Sequence, residues 1–304
     1  MTIRHIRIFL AVCNNGCNTT RAAEHLHLAQ PAVSLAIREL EEHYGVVLFD
    51  RIGRRLVLTE TGARFREYAM HISALFEDME RELRNGDRFG LLRVGASITI
   101  GAQFLPYYVK TFRGLHPGVT VQATIQPSQL LEEKLLQNTI DFALMEGHPR
   151  NAAIRAEEYM SDALVVICPN DGSFRPHQVL TLREFAGQNF LLRERGSGTR
   201  EEFENIVGAA GLTIHPVWEA MSTTALVNGV ICGLGIAVLP YRMVLGPLER
   251  GLVTTVQVEG LNFRRHFCIA CHKDKYLTPL MQSFLTLCKN YETDYPAPQY
   301  NGLY

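Results

Sequence analysis

The N-terminal part of the chain carries the pattern that most limits how it can fold. Apolar Val33, Ile37 and Leu40 repeat at helical spacing over residues 30–44, with Pro31 at a first-turn position and Gly45 as a stop. Two shorter helical patterns precede it, over residues 6–13 and 19–26, and Thr19 or Thr20 can cap the second. Two strands are predicted after it, at residues 46–49 and 55–58, around a basic hairpin tip. This order predicts a winged helix-turn-helix.

The polar face of the third helix is suited to the major groove of double-stranded DNA. With the apolar positions turned inward, Gln30, Ser34 and Arg38 remain outside, and these residue types pair with base edges or phosphates. Arginines of the hairpin tip are expected at the backbone or minor groove. Each residue alone could equally be a solvated surface residue, but the set predicts DNA contacts from Thr20, Arg21, Gln30, Pro31, Ser34, Arg38, Arg51 and Arg54.

Charge is distributed in agreement with that prediction, although the whole chain has a net charge of only −1. Up to Arg66 there are nine basic and six acidic residues, about +3, which leaves about −4 for the rest. A mildly basic head therefore precedes an acidic body.

A long helix is predicted from residue 59 to residue 85, capped by Thr59. Its apolar residues alternate at spacings of three and four, as in a coiled-coil seam: Phe65, Tyr68, Ile72, Leu75, Met79 and Leu83. The alternative is a helix packed on its own domain. We favour a homodimer formed through this helix.

Beyond Gly90 the pattern changes to strands that alternate with helices. Strands are predicted at residues 91–96, 119–125, 140–145, 163–168, 190–193, 214–218, 236–239 and 265–271, and helices at 104–115, 130–138, 199–209, 223–232 and 277–287. Such alternation favours a parallel sheet covered by helices, arranged as two α/β lobes with a ligand cleft between them.

The N-terminal sequence closely resembles the DNA-binding signature of LysR-type transcriptional regulators, in residues 22–41 (AAEHLHLAQPAVSLAIRELE), 48–51 (LFDR) and 58–62 (LTETG). Residues 233–240 (GLGIAVLP) resemble the effector domain of that family. One departure is Ala29, where the family often has serine, and alanine is a poor N-cap.

The resemblance implies an α/β protein with a winged helix-turn-helix at 1–58, a linker helix at 59–88 and a two-lobed, periplasmic-binding-protein-like effector domain at 89–304. The first lobe would comprise residues 89–161 and 266–292, the second residues 162–265, and residues 293–304 a loose tail. The expected function is sequence-specific, effector-controlled transcription regulation by a homodimer that assembles further into a homotetramer. RNA polymerase is a further candidate partner.

The resemblance also carries ligand contacts onto the corners where strands lead into helices. These contacts are Ser97, Ile98, Thr99, Met145, Glu146, Gly147, Ser197, Gly198, Thr199 and Thr223. Helix N-termini, the glycines beside Ser197 and the flanking arginines favour a small anion or carboxylate. The alternative for each hydroxyl is ordinary helix capping.

No cofactor, metal or catalytic function is expected. Residues 268–272 (CIACH) spell a haem-attachment pattern, but Cys268 and Cys271 would point to opposite faces of a strand. No nucleophile motif supports an enzyme. The N-terminus has no apolar leader, and no run of about 18 apolar residues occurs, so we expect a cytoplasmic protein rather than a periplasmic solute-binding protein or a membrane protein.

Overall fold

A computed structural model describes residues 1–53, 55–85 and 90–294, with the side chains at 55, 78, 81–85 and 292–294 excepted. Arg54, the end of the predicted linker and most of the predicted tail lie outside the described residues, as does the side chain of Leu83. The chain divides into two compact units. The first contains Met1–Gly90 with Leu136–Asn138 and Asp274–Tyr276, and the second contains the remainder.

The first unit consists of four helices and a hairpin. Its elements are α1 (Ile3–Asn14), α2 (Thr19–Leu26), α3 (Gln30–Tyr44), β1 (Phe49–Ile52), β2 (Arg55–Leu58) and α4 (Glu60–Asn85). The antiparallel pair β1–β2 forms the predicted wing. Val33, Ile37 and Leu40 are buried as predicted, around Phe9, whose ring lies 4.9 Å from that of Phe65.

Two local predictions in this unit were wrong. The first wing strand begins at Phe49 rather than at residue 46, because the Glu41 carboxylate accepts the N–H groups of Leu48 and Phe49 at 2.8 and 3.2 Å and holds them at the end of α3. Helix α2 is capped by Asn18, whose side chain accepts from the backbone of Thr20 and Arg21. An Asn at this position satisfies two donors that neither threonine reaches.

The cap of α4 is the predicted one. Gly62 donates its backbone N–H to the Thr59 hydroxyl at 2.8 Å. Only glycine fits at position 62, because a Cβ there would lie 2.1 Å from the Leu48 carbonyl oxygen. The close approach fixes the start of α4 against the wing.

The second unit has two lobes joined by two strands. The first lobe contains β3 (Gly90–Ala96), α5 (Ile98–Gln103), α6 (Leu105–Leu115), β4 (Val119–Ile125), α7 (Ser128–Leu136), β5 (Phe142–Glu146) and α12 (Pro279–Asp294). The second contains β7 (Gln178–Leu180), α8 (Leu182–Ala186), β8 (Phe190–Arg193), α9 (Gly198–Ala209), β9 (Pro216–Ala220), α10 (Thr223–Ile231), β10 (Ala237–Pro240), α11 (Tyr241–Glu249) and β11 (Val253–Val258). Strands β6 (Ile154–Pro169) and β12 (Arg264–His272) connect them.

The main sheet is mixed, so the expectation of a parallel sheet needs correction. Its order is β4-β3-β5-β12-β6-β11-β7, with β10 also pairing with β6. β3 runs parallel to β5, but β12 is antiparallel to both β5 and β6. The first part of β6 pairs with β12, and its last part pairs with β10 and β11. A strand that returns through both lobes necessarily reverses direction against its neighbours.

Each lobe has its own apolar core. In the first lobe Tyr108, Phe112 and Phe284 are fully buried. In the second lobe Phe185, Phe190 and Phe203 are buried together. Burying a side chain of this size contributes about 1.5–3 kcal/mol.

Candidate functional sites

The predicted DNA-contacting residues lie on one small unit and are accessible. Thr20, Arg21, Gln30, Pro31, Arg38 and Arg51 are exposed, and Ser34 is partly exposed. Gln30 donates from Nε2 to Ser34 Oγ at 2.8 Å and to Thr19 Oγ1 at 3.1 Å. These bonds hold Gln30 between α2 and α3. Ala29 provides no side-chain cap for α3.

One exposed residue of α3 was missed in the sequence. Leu35 is 51% exposed, next to Ser34 and one turn from Arg38. An exposed apolar side chain on such a helix suits the methyl group of thymine. The only indication in the sequence is that Leu35 lies outside the buried face of α3.

The effector corners meet at the carboxyl ends of parallel strands. In the first lobe β3 and β5 run side by side, so the start of α5 and Glu146 lie at one edge. In the second lobe β8 and β9 are parallel, so α9 and α10 begin at one edge. Crevices at such edges bind ligands in α/β proteins.

The Glu146 carboxylate is the centre of the cleft. Its Oε1 accepts from Ser97 Oγ at 3.0 Å and from the Thr99 backbone N–H at 3.1 Å. Its Oε2 accepts from Thr199 Oγ1 at 2.7 Å and from Arg265 Nη1 at 2.9 Å. Both lobes and a connecting strand therefore donate to one carboxylate.

Arg265 completes this cluster and was absent from the sequence-based set. Its Nη1 also lies 3.0 Å from Thr199 Oγ1, and its Nε donates to Asp162 Oδ2 at 2.8 Å. The three charged side chains are almost entirely buried. Asp162 on β6 and Arg265 on β12 face each other across paired strands, a juxtaposition that requires knowledge of the register. The available signal was an arginine shortly before the apolar run at residues 267–271 of the same strand.

The charge state of Glu146 follows from its surroundings. Burial on its own would raise the pKa of this carboxyl group, but the Arg265 guanidinium, the hydrogen bonds from Thr99 and Thr199 and the Arg193 charge lower the pKa to about 2. The carboxylate is therefore ionised at neutral pH. Hydrogen bonds to a buried charge are among the stronger ones, at about 1.5–3 kcal/mol each.

Backbone contacts bring the two lobes together at the same place. A Cβ on Gly198 would lie 2.7 Å from Glu146 Cβ and 2.8 Å from Ser128 Oγ. A Cβ on Gly196 would lie 2.6 Å from Gln129 Oε1. The first turn of α9 thus approaches the first lobe closely because glycines flank Ser197. Gly147 has a φ of +71°, which also favours glycine.

The remaining residues predicted to contact the effector do not bond to the Glu146 carboxylate. Met145 is buried, Ile98 is partly buried, and Ser197 is buried without capping α9. Thr223 is 6% exposed, and its hydroxyl makes no hydrogen bond within the described residues. Ser222 provides the cap of α10, so capping does not explain Thr223.

Two of the flanking arginines, Arg193 and Arg200, are already paired. Arg193 forms two bonds to the Glu194 carboxylate, at 2.8 and 2.9 Å. Arg200 pairs with Glu204 at 2.6 Å and donates to the Arg193 carbonyl oxygen. They are therefore not free charges that await an anion.

Comparison with known proteins decides the family. Residues 3–63 match a family model described as a bacterial regulatory helix-turn-helix protein of the lysR family, and residues 85–292 match one described as the LysR substrate binding domain. The chain belongs to the LysR-type transcriptional regulators. It is a DNA-binding transcription regulator with an effector-binding domain, and not an enzyme.

Individual relatives agree with this assignment. The chain is 34% identical over 286 residues to the RuBisCO operon transcriptional regulator of Allochromatium vinosum, over 93% of this chain and 94% of the relative. It is similar in fold to full-length CbnR complexed with its target DNA, with a TM-score of 0.57, 24% identity, and coverage of 94% and 98%. It is also similar to the Synechocystis PCC6803 CcmR regulatory domain in complex with 2-PG, with a TM-score of 0.62, 22% identity, and coverage of 68% and 100%.

Two features are absent from the described residues. No helix among them is long and apolar enough to cross a membrane. Within the same residues, no three histidine, cysteine, aspartate or glutamate side chains form a group that could hold a metal ion.

Proposed function

We infer that this regulator responds to a small anion that binds between the two lobes of its effector domain. The observation that carries this proposal is the convergence of Ser97, Thr99, Thr199 and Arg265 on one carboxylate. A set of donors that already coordinates a carboxylate has the chemistry that an anionic effector needs. The CcmR regulatory domain, which shares this fold, was solved with 2-PG.

The unpaired hydroxyl of Thr223 supports a ligand in the cleft. An unsatisfied buried hydroxyl costs about 1–3 kcal/mol, so its retention needs an explanation such as a partner that the bound state supplies. An effector that bonds to Thr223 would favour the lobe arrangement that presents this hydroxyl. A ligand shifts a conformational equilibrium only by its difference in affinity for the two states.

On the DNA side, we assign base and phosphate contacts to the exposed face of α3 and to the wing. Gln30, Ser34 and Arg38 would reach base edges, while Arg21 and Arg51 would contact the backbone. We add Leu35 to this set, because its exposed apolar side chain lies next to Ser34 on α3.

Assembly through α4 is the corresponding proposal for oligomerisation. Tyr68, Ile72, Leu75 and Met79 are all 43–62% exposed in the single chain and lie along one face of the helix. An exposed apolar stripe of this length is typical of a protein interface. A homodimer through α4 would be extended to a homotetramer by the effector domains, and contact with RNA polymerase remains a prediction.

The effector proposal is tested with Thr223→Val. A duplex selected from randomised DNA is titrated by fluorescence anisotropy with and without a panel of small carboxylates and oxyanions. At least one of these compounds should change the affinity for DNA, and Thr223→Val should require about tenfold more of it, as expected for one lost hydrogen bond to a charged ligand. The thermal unfolding midpoint should stay the same or rise, since an unpaired hydroxyl is removed.

Two results would contradict the proposal. One is a wild-type affinity for DNA that no anion in the panel alters. The other is a Thr223→Val protein that responds at the wild-type concentration, which would return Thr223 to a purely structural position.

A further inference from the structure

The donors expected to bind an external anion are already occupied by a side chain of the protein. Both oxygens of Glu146 are used, each by two donors, and the side chain is almost fully buried. Glu146 extends from the end of β5 into the same corner that Ser197, Gly198 and Thr199 form. It therefore occupies the place that the carboxylate of a ligand would take.

The charges in the cleft are already compensated, which disfavours binding of a second anion beside Glu146. Arg265 is matched by Glu146 on one side and by Asp162 on the other, while Arg193 is paired with Glu194. No uncompensated positive charge is left among these groups for an incoming anion. A second anion beside the Glu146 carboxylate would be repelled, since like charges in contact cost several kcal/mol.

We propose that Glu146 is an internal competitor of the effector and thereby determines which anions the cleft accepts. This inference rests on the proposed function, because it concerns the same donors. An anion must displace the Glu146 carboxylate and replace its four hydrogen bonds. A ligand with a single carboxylate offers nothing that Glu146 does not. The cleft instead selects an oxyanion with further acceptor oxygens, for which the unpaired hydroxyl of Thr223 is available.

The inference is tested by removing the internal carboxylate and supplying it from solution. Glu146→Ala deletes a group equivalent to acetate and leaves the donors in place. The thermal unfolding midpoint of this variant should rise saturably with sodium acetate, beyond the rise with sodium chloride at equal ionic strength. The wild-type midpoint should show no such difference, because Glu146 already occupies the site.

A matched control is Glu201→Ala. Glu201 lies in the first turn of α9, the helix that contributes Thr199 to the cleft, and its replacement removes the same charge. Glu201 pairs with Arg150 rather than with the cleft donors. Acetate should have no specific effect on this variant. A specific effect there would show that acetate acts through net charge and would overturn the inference.

A second variant guards against poor folding of Glu146→Ala. Glu146→Gln keeps the shape and removes the charge, and sulfate should bind to it at least about tenfold more tightly than to the wild type in calorimetric titration. Equal sulfate affinities of Glu146→Gln and the wild type would overturn the inference. So would a folded Glu146→Ala protein whose stability does not respond to acetate.

These experiments do not involve DNA, so the two proposals can fail separately. If acetate stabilises Glu146→Ala but no anion changes the affinity for DNA, Glu146 is a competitor at a site that does not signal. If an anion regulates DNA binding and Glu146 variants do not change its affinity, the effector proposal holds and the competitor role is wrong.

Discussion

Gly198 offers a sharp test of how the two lobes are held together. The structure places a Cβ at this position 2.7 Å from Glu146 Cβ, 2.8 Å from the Glu146 carbonyl oxygen and 2.8 Å from Ser128 Oγ. The Glu146 contacts are with backbone and Cβ atoms, which cannot move away by a rotamer change. Gly198→Ala should therefore push α9 away from β5 and lengthen the 2.7 Å bond between Thr199 and Glu146.

The magnitude follows from the kind of contact. Forcing one methyl group into a tightly packed place costs about 1–3 kcal/mol. The same helix contains its own control, because a Cβ on Gly208 meets nothing within 4 Å. Gly208→Ala should stabilise the protein by up to about 1 kcal/mol through helix propensity. The two substitutions are chemically identical and should have opposite signs.

Trp218 provides the assay, since it is the only tryptophan and lies on β9 in the same lobe as both glycines. Urea unfolding followed by its fluorescence should give a lower midpoint for Gly198→Ala and an equal or higher one for Gly208→Ala. If Gly198→Ala is as stable as the wild type, the lobes are not in the close contact described above. If both variants are destabilised alike, the cost is unrelated to the contact with Glu146.

Three further predictions concern the other parts of the molecule. Arg38→Ala should lose about 1–3 kcal/mol of affinity for a selected duplex in anisotropy titrations at fixed salt. Lys110→Ala removes an exposed cation of the effector domain and should lose little affinity, so equal losses would argue against a DNA contact by Arg38. Leu75→Asp should dissociate the dimer in light scattering, whereas Ala63→Asp, at an exposed position outside the apolar stripe of α4, should not. An intact Leu75→Asp oligomer would show that α4 is not the interface. Because the pKa of Glu146 is lowered from 4.5 to about 2, its stabilising effect is complete above pH 4.5 and is lost as the pH falls towards 2, with a full size on the order of 3 kcal/mol. The stability difference between wild type and Glu146→Gln should shrink between pH 6 and pH 3 in urea unfolding, and a constant difference would contradict the assigned pKa.

The helices were predicted well where burial is one-sided. α3 has its apolar residues on one face and clear signals at both ends, and the predicted core residues are buried. The wing was displaced because Glu41 binds the backbone at residues 48 and 49, a contact that no local pattern reveals. Strand β6 was predicted only from residue 163, since its first half carries Arg155, Glu157 and Glu158 without regular alternation.

The grouping of the candidate site residues was predicted in part. Ser97, Thr99, Glu146 and Thr199 stand at strand-to-helix corners, and the structure brings them within hydrogen-bond distance. The role of Glu146 as the acceptor was missed, because a sequence does not show which corner supplies the charge. Arg265 and Asp162 were missed because they come together only through the pairing of β12 with β6.

We expect the affinity for DNA to depend on whether a carboxylate, from Glu146 or from solution, is bound to the donors of the cleft. The most direct measurement is an anisotropy titration of a selected duplex with the wild type and with Glu146→Ala, each in sodium acetate and in sodium chloride at equal ionic strength. Glu146→Ala in chloride should differ from the wild type in affinity, and acetate should return it to the wild-type value. A Glu146→Ala protein that binds the duplex exactly as the wild type does in both salts would contradict the account.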